Sequence, residues 1–303
     1  MKDNIPQDCL RCDAGPLTLS CMDIWGGVDA ADQQFSTPGL DVHVLSEPYK
    51  GDAEGGDVYY LSLCGSGNIA RMALADVSGH GSAVGEIATR LRSMMRKHIN
   101  TPNQARFAQS LNEQFGRISD SGVFATAVLA TYWAPTDHLI LVNAGHPPPL
   151  LYRADQGAWM ALTAATPGVV TSDASAVGVR NLPLGIIEPT GYDQFAVHLD
   201  PHDLVVLHTD ALMEARDRRG RQLGVEGLLR VAAEADGSRS ENFGRRLIEG
   251  ARAHADDEPI GDDNTLIVLH HNAANPPPMT VKESVRTLGR MMGLVGPSAA
   301  SRA

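Results

Sequence analysis

The chain has 303 residues, 43% of them hydrophobic and 20% charged, with a formal net charge of −11. That is the composition of an ordinary globular chain able to bury a sizeable core. It excludes a general nucleic-acid surface, which needs a basic face, and the local basic run Arg90, Arg92, Arg96 and Lys97 reads as the solvated side of a helix. No apolar run is long enough for a membrane-spanning helix, so no membrane association is expected. The first residues carry no apolar signal region, so the expected location is the cytoplasm. The four cysteines fit a reducing compartment. Cys9 and Cys12 form a CxxC, but Cys21 and Cys64 do not complete a tight four-ligand spacing, and ordinary thiols are the better reading than zinc.

In chain order, residues 1–40 read as an irregular N-terminal extension, with a first strand over 41–46 and a loop over 47–56. Two β-like runs follow, 57–64 and 69–77, joined by Gly65-Ser66-Gly67-Asn68, which is a hairpin signal. The same segment fits a G-x-G-x-x-A dinucleotide fingerprint. What comes next is another strand rather than a helix, so the Rossmann reading fails on context. Apolar positions Val84, Ile87, Ala88, Leu91, Met94 and Met95 predict a helix over 82–99. Asn103 is placed to cap a second helix carrying Phe107, Leu111 and Phe115.

Strands are predicted over 123–133, 138–143 and 150–153, with Pro147, Pro148 and Pro149 interrupting the sheet. Residues 154–182 are low in pattern and read as a long surface insertion. Strands resume over 193–199 and 203–208, helices are expected over 226–235 and 242–254, and a last strand over 265–270. Residues 272–278 form a linker, and the tail to 303 has room for a short helix over 281–292. Strands joined by short turns make antiparallel pairs. The fold class is therefore α+β, with packed sheets and helices outside.

Four acidic motifs recur at strand ends. Asp57 opens a strand after Gly55-Gly56, and Asp76 closes its hairpin partner. Asp210 ends the apolar run 204–209, and Asp262 and Asp263 stand just before the last strand. With the hairpin in simple register, Asp57 and Asp76 share one end. Any one Asp alone is better read as a turn or helix-capping residue, and only the set at strand ends favours a metal. Several carboxylates brought together repel, and each resists ionisation unless a cation neutralises the group. Hard oxygen ligands suit Mg²⁺ or Mn²⁺, and two such ions can activate a water and clamp a phosphate.

The motifs Gly-Gly-Asp at 55–57, Ala-Asp-Val-Ser-Gly-His-Gly at 75–81, Phe-Ala-Thr-Ala at 124–127, Asn-Ala-Gly-His-Pro-Pro-Pro at 143–149, Pro-Leu-Gly at 183–185, Thr-Asp-Ala-Leu-Met-Glu-Ala at 209–215 and Asp-Asn-Thr-Leu at 263–266, preceded by Asp262, occur in one order. With them the chain resembles the SpoIIE-like branch of the PPM-type (type 2C) metal-dependent protein serine/threonine phosphatases, over residues 41–271. The resemblance implies a four-layer αββα sandwich with a dinuclear Mn²⁺ or Mg²⁺ site at one edge. It implies metal ligation by Asp57, Asp76, the Val77 carbonyl, Asp210, Asp262 and, where the wider superfamily often has Asn, Asp263. It further implies in-line attack on phosphorus by a metal-bridging hydroxide, with no covalent phosphoenzyme.

The implied substrate is a phosphoserine or phosphothreonine on a regulatory protein of bacterial signalling, such as an anti-sigma-factor antagonist. With no sensor domain read ahead of the catalytic one, regulation is expected through another chain, through residues 1–40 or through 154–182.

The sequence also departs from the family pattern. Tyr60 stands where many relatives have a second Asp, and Ala211 follows Asp210 where Gly is usual. The eukaryotic branch places a candidate general-acid His at the position of Ser78; here His80 lies two residues further on. His80 reads either as the general acid for the leaving oxygen or as a turn residue bonded to backbone. His146 reads as structural. No phosphate-binding arginine stands out, because Arg71 lies at the far end of the Asp76 strand. Tyr60 and Ala211 leave open a catalytically degenerate phosphatase-fold scaffold, and a hydrolase of small phosphoesters would share the same acids.

Overall fold

The alternation that predicts a hairpin over 57–77 produces one, and a sandwich is assembled around it. In the computed structural model the described residues are 17–18, 24–49, 55–64, 68–79, 82–99, 101–118, 122–171, 178–235, 240–256, 260–275, 280, 282, 285 and 288–289. His80, the cysteines at 9, 12 and 21, and most of the tail helix read over 281–292 lie outside them.

The strands are β1 (Leu17–Thr18), β2 (Ile24–Gly27), β3 (Ala31–Thr37), β4 (Leu40–Glu47), β5 (Asp57–Cys64), β6 (Ile69–Val77), β7 (Ala125–Trp133), β8 (His138–Ala144), β9 (Leu150–Arg153), β10 (Ala158–Ala161), β11 (Val169–Thr171), β12 (Gln194–His198), β13 (Leu204–His208) and β14 (Asn264–His271). The helices are α1 (Ser82–His98), α2 (Gln104–Phe115), α3 (Ala211–Glu214), α4 (Gly224–Glu234) and α5 (Ser240–His254). One seven-stranded sheet runs β1-β3-β4-β14-β13-β9-β10 and the other β11-β12-β8-β7-β6-β5-β2. All pairings are antiparallel except β1 with β3.

Residue alternation divides the core into layers. Val42, Val44, Val205, Leu207, Ile267 and Leu269 of one sheet meet Tyr59, Leu61, Met72, Leu74, Val128 and Leu141 of the other between the sheets. The opposite face of β5 and β6 presents Val58, Tyr60, Ala73, Ala75 and Val77 to Leu91 and Met95 of α1 and to Phe107 and Leu111 of α2. Leu45, Val206, Leu266 and Val268 face outward against Leu228, Phe243 and Leu247 of α4 and α5. The result is the expected four-layer α+β sandwich. No helix among the described residues is long and apolar enough to cross a membrane.

Two expectations need correction. Residues 1–40 are not wholly irregular: β2 pairs with β5, and β3 lies alongside β4 from Ala31 opposite Ser46 to Thr37 opposite Leu40. These strands lie toward the sheet edges, and β3 begins Ala-Asp-Gln-Gln, so neither needs the apolar content that marks a central strand. The stretch 154–182 likewise contributes β10 and β11, one edge strand of each sheet, with side chains half-buried or exposed.

Helix α2 ties the loop of residues 183–187 to the sandwich. Asn103 caps it, its side chain accepting from the Arg106 N–H at 2.8 Å. The buried Asn112 accepts from the Gly185 N–H at 2.8 Å and donates to the Ile187 carbonyl at 3.0 Å. Gly185 has φ +87°, and a Cβ there would meet the Phe115 ring at 2.8 Å, so this turn requires glycine. Asn112→Ala leaves two backbone groups without these partners and is expected to cost about 2 kcal/mol, read as a lower urea midpoint at an unchanged m-value.

Candidate metal centre

At one end of the sandwich the strand termini of both sheets deliver carboxylates. Asp57, the first residue of β5, pairs directly with Asp76, the next-to-last residue of β6. Both point to the face between the sheets, because Tyr59, Leu61, Leu74 and Met72 at two-residue steps from them do so. From the other sheet, β13 runs into Thr209 and Asp210, and Thr209 N–H donates to the Thr265 carbonyl at 3.1 Å. Asp262 and Asp263 directly precede β14.

A hydroxyl network that the sequence reading did not find joins the sheets here. Thr209 Oγ1 donates to Asp57 Oδ2 at 3.0 Å and accepts from the Thr265 N–H at 3.1 Å. The Thr265 hydroxyl also bonds to the Asp57 carboxylate, and Ser46 Oγ lies 2.9 Å from Thr265 Oγ1. The available signal was that each Thr adjoins an acidic motif. Glu214 was also passed over: it sits one helical turn after Asp210, its N–H donating to the Asp210 carbonyl at 2.9 Å, and its charge bears on both Asp76 and Asp210.

The acids disturb one another's ionisation. Burial, then the Asp76 charge, pushes the Asp57 carboxyl well above the usual carboxylate range. Asp76 is pushed up to about 7 by burial and then by the charges of Asp210, Asp262, Asp263 and Glu214. Asp210 is raised by burial, Glu214 and Asp262. Among the described residues no Lys, Arg or His side chain pairs with Asp57, Asp76 or Asp210. An all-carboxylate cluster of this kind is stable as anions only with a cation among them.

The residues around the cluster set its shape. A Cβ on Gly56 would lie 3.2 Å from the Val77 carbonyl oxygen, so glycine there keeps that oxygen open. Ser78 Oγ accepts from the Phe124 N–H at 3.0 Å, and the Ser78 N–H donates to the Phe124 carbonyl at 2.9 Å, which holds the turn after Asp76. Asp263, expected among the ligands, directs both oxygens to backbone donors: Oδ1 to the Tyr49 N–H at 2.6 Å and Oδ2 to the Gly56 N–H at 2.5 Å. Asp262 is exposed, and its Oδ1 accepts from the Asp263 N–H at 2.9 Å.

His146 is buried, its Nδ1 2.8 Å from the hydroxyl of Thr126, the cross-strand neighbour of Asp76. Burial and the adjacent His208 pull its pKa down to about 3, and burial lowers that of His208 also, so both stay neutral.

The departures from the family pattern fall outside the cluster. Tyr60 shares its face with Val58, toward α1 and away from Asp57. Ala211 is buried at the start of α3 and packs with Leu212 and Leu228. Arg71 is on the same side of β6 as Ala73 and Ala75, opposite to Asp76.

Among the described residues no group of three or more His, Cys, Asp or Glu forms a ready-made metal cage. Magnesium does not require one: it keeps several waters and takes one or two protein carboxylates. A buried Asp57 and half-buried Asp76 and Asp210 without a cationic partner, a carbonyl kept open by glycine, and a donor set of oxygen only fit Mg²⁺ or Mn²⁺ and exclude a thiolate-type site.

Residues 66–272 match the family model of Stage II sporulation protein E (SpoIIE). The phosphoserine phosphatase RsbU of Bacillus subtilis (strain 168) is 26% identical over 233 residues, 76% of this chain and 63% of its own length. The chain thus spans less than two thirds of that relative. The structure of the RsbU and RsbW domains of a Mycobacterium tuberculosis protein superposes with a TM-score of 0.64 at 22% identity, covering 88% of this chain and 71% of that one. RsbX in complex with magnesium gives 0.56 at 15% identity, covering 79% and 99%.

A carboxyl whose pKa is higher folded than unfolded leaves the folded chain holding more protons. Its ionisation then costs stability as pH rises from about 4 through about 7 for Asp76. The buried histidines act in the opposite direction, and equally with or without Asp76. In EDTA, the melting temperature of Asp76→Asn minus that of wild type should therefore widen between pH 4.5 and 7.5, reaching several degrees. A gap independent of pH would contradict the assignment.

Proposed function

We infer the activity from one premise: the chain belongs to the SpoIIE family. It is a protein-serine/threonine phosphatase that hydrolyses phosphoserine or phosphothreonine on a regulatory protein. The observation that carries this reading is the convergence of Asp57, Asp76 and Asp210 from three strand ends with no cationic side chain among them. The catalytic unit takes in the strands from residue 24 through β14, with the tail beyond it.

Two ions, Mn²⁺ or Mg²⁺, would be held by Asp57, Asp76, the Val77 carbonyl, Asp210 and Asp262. When bound they supply Lewis-acid stabilisation of the phosphoryl oxygens and water of lowered pKa. The chain's own residues do the positioning. The Thr209 and Thr265 hydroxyls fix the Asp57 carboxylate from the opposite sheet, and Gly56 leaves the Val77 carbonyl accessible. Neutral His146 and His208 back the cluster without adding charge. His80, two residues beyond Ser78 in the sequence, is assigned to protonating the serine oxygen as it leaves, and attack on phosphorus by water rather than by a side chain would leave no covalent phosphoenzyme.

The relative named phosphoserine phosphatase RsbU and the fold shared with the RsbU and RsbW domains support a phosphorylated protein of a partner-switching circuit as the substrate, and a bacterial cytoplasm is the setting that goes with that reading. The acids stand at the open end of the sandwich, Asp262 exposed and Asp76 and Asp210 half-buried, which suits a phosphate presented on a protein surface.

Asp76→Asn and Asp210→Asn should each lower Mn²⁺-dependent hydrolysis of p-nitrophenyl phosphate by more than about 100-fold, the upper range for loss of an outer partner of a metal, while circular dichroism stays native. Wild type should prefer a phosphoserine peptide to the small ester and lose activity in EDTA. Full activity in both variants, or activity indifferent to EDTA, would remove the metal mechanism. Failure of wild type to turn over either substrate would leave a binding scaffold.

A further inference from the structure

We propose that Asp263 is a positioning residue, which sets the Gly55–Gly56–Asp57 turn through backbone hydrogen bonds and is not itself a metal ligand. The proposal rests on the metal-centre reading above and reassigns one residue within it.

Asp263 belongs to the segment leading into β14 of one sheet, and Gly56 to the segment leading into β5 of the other. Its carboxylate is the direct link between them, accepting from the Gly56 N–H at 2.5 Å and, with its other oxygen, from the Tyr49 N–H at 2.6 Å. Charge-assisted bonds from backbone donors are about twice as strong as neutral ones. The fit is close: a Cβ on Gly55 would stand 2.8 Å from the Asp263 carboxyl carbon and from both its oxygens. The Gly55 N–H is bound in turn to the Val28 carbonyl at 2.8 Å. Gly55 is thus glycine because a carboxylate occupies the space of its side chain.

What the turn positions is the centre itself. Gly56 adjoins Asp57, and its carbonyl accepts from the Val77 N–H at 3.2 Å. A shift of Gly56 therefore moves Asp57 and the Val77 carbonyl together. Only a carboxylate offers one acceptor to each of two N–H groups. Asparagine keeps one acceptor and turns an NH₂ toward the other donor, so even this near-isosteric change should disturb the turn.

A ligand and a positioning residue respond differently when the metal is removed. A ligand carboxylate in the metal-free cluster is chiefly a source of repulsion, so its neutralisation stabilises the chain. Loss of a positioning carboxylate destabilises the chain with or without metal. The test compares Asp263→Asn with Asp76→Asn in the full chain, by thermal unfolding in EDTA and by calorimetric titration with Mn²⁺. Asp263→Asn should melt below wild type in EDTA and bind Mn²⁺ about 10–100-fold more weakly at unchanged stoichiometry. Asp76→Asn should melt above wild type in EDTA and lose Mn²⁺ from the stoichiometry.

Asp263→Asn melting above wild type in EDTA with one fewer Mn²⁺ would make it a ligand and overturn the proposal. A lowered melting temperature with unaltered Mn²⁺ affinity would reduce it to a structural residue and overturn the proposal equally. Normal Mn²⁺ binding by Asp76→Asn would instead refute the metal-centre reading. Should Asp263→Asn not fold, hydrogen exchange of the unmodified chain decides. The Tyr49 and Gly56 amides should be protected in EDTA as well as in Mn²⁺, and fast exchange of both in EDTA would overturn the proposal.

Discussion

The constraint on which this structure depends is the direct pairing of Asp57 with Asp76 across the β5–β6 hairpin. Two like charges opposite each other on one face of an antiparallel pair are destabilising, and here that face is buried between two sheets. The register cannot relax the repulsion. A slip of one residue would turn Tyr59, Leu61, Leu74 and Met72 out of the central core and Val58, Tyr60, Ala73 and Ala75 away from the helices. The core thus enforces the contact between the acids, and the acids in turn require a cation. Asp210 and Asp262, brought from the other sheet, increase the demand, as the raised pKa of Asp76 records.

Holding such a cluster takes neutral polar groups rather than counter-charges. Asp57 is tied to Thr209 and Thr265, Thr265 to Ser46, and Thr126 to His146. Hydroxyls satisfy and orient a carboxylate without neutralising it, so the charge remains for a metal. An arginine among these groups would stabilise the empty cluster and compete with the ion. The residues that depart from the family pattern leave this economy intact. Tyr60 and Ala211 are both packed into apolar clusters against helices, so an Asp at position 60 would point toward α1 and not toward the metal.

Much of the fold was legible in the sequence, because most of its strands have a buried face and alternate accordingly. The central hairpin, β7, β8, β13, β14 and the α2 cap at Asn103 were read correctly for that reason. The strands β2, β3, β10 and β11 were not, because short peripheral strands with half-exposed side chains carry no such pattern. The grouping of Asp57, Asp76, Asp210 and Asp262 could be suspected from their shared position at strand ends. The roles of Thr209, Thr265 and Asp263 could not. Thr209 reaches Asp57 across 152 residues and Asp263 reaches Gly56 across 207, and no local pattern signals a hydrogen bond between sheets. Asp263 shows the difficulty best: it is chemically identical to Asp262 beside it, and what separates their roles is that Asp262 is exposed while Asp263 accepts from the distant Tyr49 and Gly56 N–H groups.

The central claim is that the enforced cluster of acids is a divalent-metal centre. Crystals grown with Mn²⁺ and measured for anomalous scattering test it most directly. Two anomalous peaks are predicted among Asp57, Asp76, the Val77 carbonyl, Asp210 and Asp262, with none bonded to Asp263. Absence of anomalous density at these strand ends, with the cluster ordered and the crystals at neutral pH, would contradict the claim.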